Sequence, residues 1–389
     1  MPLVAKELIE TAQAETGLDA FGGDSFREAL EVLTRALEKE AELNEAGRVA
    51  TRELLLRLLR NRLLIEDWYG RHPEIDEKAI EAPTFMVGLP RTGTTALAAM
   101  LARDPKSRSL RTWESGQPTP PPEAATQYDD PRIAATQAGI DAMYEAHPEW
   151  RAMYDGSATA SAECQDLLGM EFRTQHFCGS YRIPSYDAWQ RECDMEPAYR
   201  FQKRALKLLQ WRCPPTHWHL HAPVHMLSME ALDRVYPDAT FLMTHRDPAD
   251  VLGSVCSLIS AVRSWASDAR DPEGVGEEQV GLWSLALLRL RHFRDRAGEE
   301  RFADVYFTDL LGDPVETIER AYARLSLPFT HQARERIGAW AAAHPQGRHG
   351  RHAYQLADFG LDVADVRARF AFYTSRFGIE PMRAPETTP

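Results

Sequence analysis

Thr84-Phe85-Met86-Val87-Gly88-Leu89-Pro90-Arg91-Thr92-Gly93-Thr94-Thr95 is the stretch that decides the fold of this chain. Residues 84–87 form a short, largely apolar run that ends on Gly88, and a helical pattern follows over 94–102. A buried strand that enters a glycine-containing turn and then a helix has this pattern. The spacing is that of a Walker A loop: Gly88, four residues, Gly93, then Thr94 and Thr95. Thr94 stands where that loop carries its lysine, the group that reaches the β- and γ-phosphates of a nucleotide. Its absence argues against the phosphoryl chemistry of a P-loop kinase or NTPase. The physics of the loop still favours an anion. Its backbone N–H groups converge on one point, and the helix that follows presents its positive end there. Arg91 supplies a cation inside the loop, and Thr92, Thr94 and Thr95 supply hydroxyl groups around Gly93.

Outward from this loop, strand-like runs recur at 109–112, 217–221, 240–244 and 304–307. Helical patterns lie at 224–235, 249–265, 278–293 and 314–325. The alternation predicts an α/β fold, a P-loop-like parallel sheet flanked by helices on both faces. Before it, residues 1–79 carry apolar side chains at helical spacing (Phe26, Leu30, Leu33 and Leu37, then Leu55, Leu58, Leu59 and Leu63). They read as an N-terminal helical cap on a main domain of residues 80–389, with a surface on which a homodimer contact could form. A proline loop at 116–122 opens an aromatic-rich stretch with no clear strand. Residues 116–212 therefore read as a helical insertion on the acceptor side of the sheet. Asp313 before Pro314 reads as a helix N-cap.

The 389 residues carry a formal net charge of −13, which disfavours non-specific binding to nucleic acid. The five cysteines form no CxxC pair, and an odd count argues against a disulfide framework. Reduced cysteines and a start without a continuous apolar segment fit a cytoplasmic chain with no membrane span. There is no HExxH motif and no carboxylate cluster, so no metal is expected.

A second anchor follows the run 240–244: His245-Arg246-Asp247-Pro248, then a helix containing Ser254, eight residues past Arg246. At a strand end and two turns into a helix, the two side chains can face one crevice and clamp a second phosphate. The pair PRTGTT and HRDPADVLGS resembles the two donor-binding motifs of sulfotransferases that use 3'-phosphoadenosine-5'-phosphosulfate (PAPS). The segment GRHGRHAYQLADFGLD is similar to the C-terminal part of their soluble bacterial branch. The resemblance runs over about 83–380. It implies a PAPS-dependent sulfotransferase whose acceptor is a small molecule, lipid or carbohydrate bearing a hydroxyl or, less readily, an amine. A non-catalytic nucleotide-binding protein is the remaining alternative, and the intact set Arg91, Arg246 and Ser254 argues against it. The resemblance implies that Arg91, Thr92, Gly93, Thr94 and Thr95 hold the 5'-phosphosulfate, and that Arg246 and Ser254 hold the 3'-phosphate. It also places the basic cluster of Arg348, His349 and Arg351 over the donor.

Displacement of sulfate by an acceptor hydroxyl needs a base at the acceptor, cations at the leaving phosphate, and alignment of the two. Arg91 suits the leaving group. Glu114, 23 residues beyond it, follows a strand-like run, and related branches have a catalytic glutamate in a comparable place. His221 is the competing base. Related sequences carry lysine in a pattern like LKSPxH where His221 stands, and His217, His219 and His221 would share one strand face. His225 is a candidate contact to donor or acceptor.

Overall fold

The structure is a computed structural model that describes residues 2–153, 156–215, 217–344 and 354–381. Three helices open the chain: α1 (Ala5–Thr16), α2 (Ser25–Glu40) and α3 (Glu45–Arg71). β1 (Thr84–Gly88) leads through the loop into α4 (Thr94–Leu101), β2 (Ser107–Ser109) and α5 (Thr112–Gly116). The insertion is helical as expected: α6 (Pro131–Ala146), α7 (Trp150–Met153), α8 (Gln165–Gly169), α9 (His176–Ser180), α10 (Pro184–Glu192) and α11 (Glu196–Gln210). β3 (His217–His221), α12 (Met229–Val235), β4 (Thr240–His245), α13 (Pro248–Ala266), α14 (Pro272–Ala297) and β5 (Phe302–Tyr306) complete the sheet. α15 (Phe307–Gly312), α16 (Pro314–Arg324), α17 (His331–Ala343), α18 (Val363–Arg369) and α19 (Ala371–Phe377) close the chain.

The five strands are parallel in the order β2-β3-β1-β4-β5. β1 is central and buried along its whole length, as a strand covered on both faces must be. From β1 the chain leaves toward β3 and β2, and from β4 it leaves toward β5. The carboxyl ends of β1 and β4 therefore flank a topological switch point, where an α/β sheet opens a crevice. Gly88 and Thr244 are register partners at that end, so the loop after β1 and the Arg246 segment after β4 meet there.

Two of the boundaries that differ from the sequence reading bear on the site. Residues 109–112 are not a strand beyond Ser109. Thr112 instead begins a helix, because the Glu114 carboxylate folds back to accept from the Arg111 backbone N–H in a capping box. The pattern at 224–235 is broken at Ser228, between a 3-10 turn (Pro223–Leu227) and α12. The N-cap at Asp313 is present: its side chain accepts from Glu316 N at 2.9 Å. Among the described residues, no helix is long and apolar enough to cross a membrane.

Residues 1–79 share one buried cluster with the sheet, running from Leu3 and Leu30 to Phe85, Phe241 and Tyr373. A buried ion pair fastens them to the insertion. Arg62 on α3 meets Glu171 at 2.6 Å, with both side chains 2% exposed. Glu171 also accepts from Ser25 and Arg173, and Arg62 donates to Phe21 O. Removing one member leaves a buried charge short of its partner, a loss of about 3–5 kcal/mol. Arg62→Met should therefore lower the urea midpoint of the whole molecule in a single transition, and Glu171→Leu added to it should restore part of the loss. A separate early transition confined to residues 1–79 would contradict this.

Candidate active site

The loop after β1 is shaped by close approach. Gly88 has φ +135°, and a Cβ there would lie 2.3 Å from Thr244 Oγ1 and 2.6 Å from its carbonyl oxygen. Only glycine lets β1 and β4 sit this close. Gly93, at φ +90°, is the N-cap of α4. Thr92 Oγ1 donates to Leu89 O at 2.6 Å and lies 2.6 Å from Thr244 Oγ1, which pins the loop to β4. Thr94 is buried and Thr95 exposed in the first turn of α4, where unpaired N–H groups and the helix dipole favour an anion.

Arg91 adopts φ +66°, a left-handed conformation that costs a non-glycine residue about 1–3 kcal/mol. Three contacts hold it. Its Nε donates to Ser254 Oγ at 3.2 Å, its Nη1 donates to Met153 O at 3.0 Å, and its own carbonyl accepts from Arg246 Nη1 at 3.1 Å. The two anchors read from sequence thus converge on one spot. Arg246 lies over the Phe307 ring at 4.2 Å, and its Nε is buried without a partner. Asp247 is spent elsewhere, capping α13 through Ala249 N and pairing with Arg367 at 3.0 Å. Among the described residues, no carboxylate lies within ion-pair distance of Arg91 or Arg246. Burial lowers the Arg91 pKa, and the neighbouring Arg246 adds to the lowering. Two half-desolvated guanidinium groups without a counter-charge form a site for an anion. Arg348, His349 and Arg351 lie outside the described residues.

The expected bases are placed differently. Glu114 is completely buried in α5; Arg108 and Arg111 both bond its Oε1, at 2.5 and 2.8 Å, and its Oε2 accepts from the Arg111 backbone N–H at 3.1 Å. A carboxylate clamped by two arginines and closed to solvent ties β2 to α5. His225 is also closed off. It is 0% exposed, Tyr199 OH lies 3.0 Å from its Nδ1, and Phe85 packs edge-on against it. His221 ends β3 with its Nδ1 buried and unpartnered, and burial lowers its pKa to about 4. His219 faces Tyr322, whose hydroxyl lies 3.2 Å from Nε2 and donates to Asp104. His217 lies 3.4 Å from Thr84 Oγ1.

The structure brings forward a residue that the sequence reading passed over. The segment after α7 crosses the carboxyl ends of β2 and β3: Ala162 N donates to Leu110 O at 2.7 Å and Cys164 N to His221 O at 2.9 Å. Glu163 sits between these two bonds, one strand over from the loop after β1. It is half-buried, and Gln165 Nε2 donates to its Oε2 at 2.9 Å, with Gln165 in turn held by Thr174. Burial raises its pKa. Among the described residues, it has no lysine or arginine within ion-pair distance. No local motif marks it. The backbone pairing of 162 and 164 puts it at the sheet end.

A family model described as "Sulfotransferase family" matches residues 83–331. Two solved structures are similar over nearly the whole chain. The sulfotransferase STF9 from Mycobacterium avium has TM-score 0.90 and 30% identity, with 97% of this chain and 98% of that one covered. The sulfotransferase STF1 from Mycobacterium tuberculosis H37Rv has TM-score 0.85 and 31% identity, with 95% and 98% covered. A curated Mycobacterium tuberculosis protein, omega-hydroxy-beta-dihydromenaquinone-9 sulfotransferase Stf3, is 27% identical over 138 residues. That match spans 35% of this chain and 35% of the relative, about a third of its length.

Proposed function

Since the chain belongs to the sulfotransferase family, we propose that it transfers a sulfuryl group from PAPS to an acceptor hydroxyl. The observation that carries this reading is the pair of guanidinium groups at the switch point, Arg91 and Arg246, held against each other's loop with no carboxylate partner among the described residues. The buried, unpartnered Arg246 Nε fits a phosphate oxygen. When bound, the donor supplies an activated sulfur whose bond to the 5'-phosphate oxygen is the one that breaks.

The residues divide the work. The loop N–H groups and Thr94 and Thr95 hold the 5' end at the start of α4. Arg246 and Ser254 hold the 3'-phosphate. Arg91 turns from Ser254 and Met153 toward the leaving phosphate and offsets the negative charge that grows there. Glu163 takes the acceptor's proton as the acceptor oxygen bonds to sulfur, and Gln165 fixes its orientation. A carboxyl group whose pKa is raised by burial is better matched to this task than Glu114, which is closed to solvent and bound by Arg108 and Arg111.

Calorimetry and transfer assays test the reading. 3',5'-Adenosine bisphosphate should bind more tightly than ATP with magnesium, and Arg246→Ala should weaken that binding about tenfold or more. Arg91→Ala should lower kcat for transfer of labelled sulfate by about a hundredfold or more with a smaller effect on bisphosphate affinity. Tighter binding of ATP with magnesium, or full transfer by both variants, would overturn the assignment.

A further inference from the structure

One apolar cluster stands apart from the main core. Trp150 and Met153 on α7 are buried in it together with Tyr144, and Leu258, Val262 and Trp265 on α13 pack against them while only partly buried. α7 with α6 forms one wall, and the second half of α13 forms the other. α13 is mostly buried from Val251 to Cys256 and half-exposed from Ser257 to Ala266. It leaves the core just past Ser254, the residue that meets Arg91. The opposite wall is lightly held, because α6 has 16 residues and only Arg132 and Tyr144 among them are buried. A helix with so little burial belongs to the part of a fold that opens at low cost.

The seam between these walls has a fixed inner end and an aromatic outer end. At the inner end, Met153 O accepts from Arg91 Nη1 at 3.0 Å, so α7 touches the phosphate loop directly. At the outer end, Trp150 meets Trp265 edge-on at 4.8 Å. From Ser254 to Trp265 the helix advances about 16 Å at 1.5 Å per residue.

We propose that this seam receives the apolar body of the acceptor, an alcohol carried on an extended hydrocarbon chain, with its hydroxyl delivered to Glu163 beside the phosphate loop. The inference rests on the sulfotransferase reading and narrows its acceptor. A sugar would have to surrender several water hydrogen bonds to walls built from leucine, valine, methionine and tryptophan, and it would not recover them. A hydrocarbon chain gains with each methylene buried, about fourfold in affinity per group. The Arg91–Met153 bond couples the two substrates. Arg91 must release the α7 carbonyl to reach an anion, and that release frees the inner end of the seam, so donor entry favours acceptor entry.

Two measurements test this, one of them without catalysis. Bromododecanol, titrated into the protein with and without 3',5'-adenosine bisphosphate, should quench tryptophan fluorescence saturably, because bromine quenches on contact. Most of that quenching should vanish in Trp150→Phe/Trp265→Phe while bisphosphate affinity is unchanged. With PAPS and labelled sulfate, kcat/KM should climb steeply along the primary alcohols from butanol to dodecanol and exceed that for glucose. Val262→Asp should flatten the climb and leave bisphosphate binding intact. Quenching that does not saturate, quenching that survives the double substitution, or glucose preferred over dodecanol would overturn the seam. Loss of bisphosphate binding in the unsubstituted protein, with saturable quenching retained, would overturn the sulfotransferase reading and not the seam.

Discussion

Glu163→Gln is expected to lower sulfuryl transfer by about two to four orders of magnitude while the urea midpoint and the affinity for 3',5'-adenosine bisphosphate stay where they are. The substitution keeps the size of the side chain and the hydrogen bond offered by Gln165 to its carbonyl oxygen, and removes only the proton acceptor. Nothing else in the fold depends on the charge, because among the described residues Glu163 has no cationic partner. Glu114→Gln should do the reverse. Its carboxylate closes a buried network with Arg108 and Arg111, so neutralising it leaves two guanidinium groups short of a counter-charge, at a cost of about 3–5 kcal/mol. The expected signature is a lower urea midpoint, with kcat per folded molecule nearly retained. The pH profile separates the two further. Because burial raises the Glu163 pKa, the acidic limb of kcat/KM should lie above the usual carboxylate range and disappear in Glu163→Gln. A Glu163→Gln protein with full activity would return the base role to another group.

The contrast between these glutamates shows what the chain discloses by itself. The strand, turn and helix around Gly88 and Gly93 could be read because every feature that defines them is local: an apolar run, two glycines five residues apart, and hydroxyls in the first turn of a helix. The shared crevice of Arg246 and Ser254 could be read for the same reason, because they lie on one strand–helix unit. The site between them could not. Glu114 stands at a plausible distance along the chain from Arg91, but the residues that disarm it, Arg108 and Arg111, are as close in sequence and equally able to face away. Only the capping box that turns Thr112 into a helix start settles their direction. Glu163 had no marker, because its position comes from backbone bonds to Leu110 and His221, 52 and 57 residues from Ala162 and Cys164. The alternation of His217, His219 and His221 was legible as one strand face, but whether that face met water or protein was not, and this decides their chemistry.

Because that face meets protein, acid should unfold the molecule well before its carboxylates titrate. Burial holds the pKa of His219 at about 3, of His221 at about 4 and of His225 at about 3. In the unfolded chain each returns to about 6.5. Above that value both states are neutral and the histidines contribute no pH dependence. Below it the unfolded state binds protons that the folded state refuses, so stability falls as pH drops from about 6.5 toward the folded values. At pH 5 the loss is about 2 kcal/mol per histidine and about 6 kcal/mol for the three, comparable with the whole stability of a typical domain. The groups around them offer little relief. His225 faces the Tyr199 hydroxyl, His221 has no partner at Nδ1, and Asp104 reaches His219 only through the Tyr322 hydroxyl. Urea titrations between pH 7.5 and 5 should show a midpoint that falls steadily, with about three protons taken up on unfolding near pH 5. His221→Asn should remove about one of them. Uptake of fewer than one proton would mean that these rings are already charged in the folded protein. The same neutrality bears on the reaction. If these histidines carry no charge where the protein is folded, they cannot neutralise a leaving phosphate, and in the proposed reaction that task falls to Arg91.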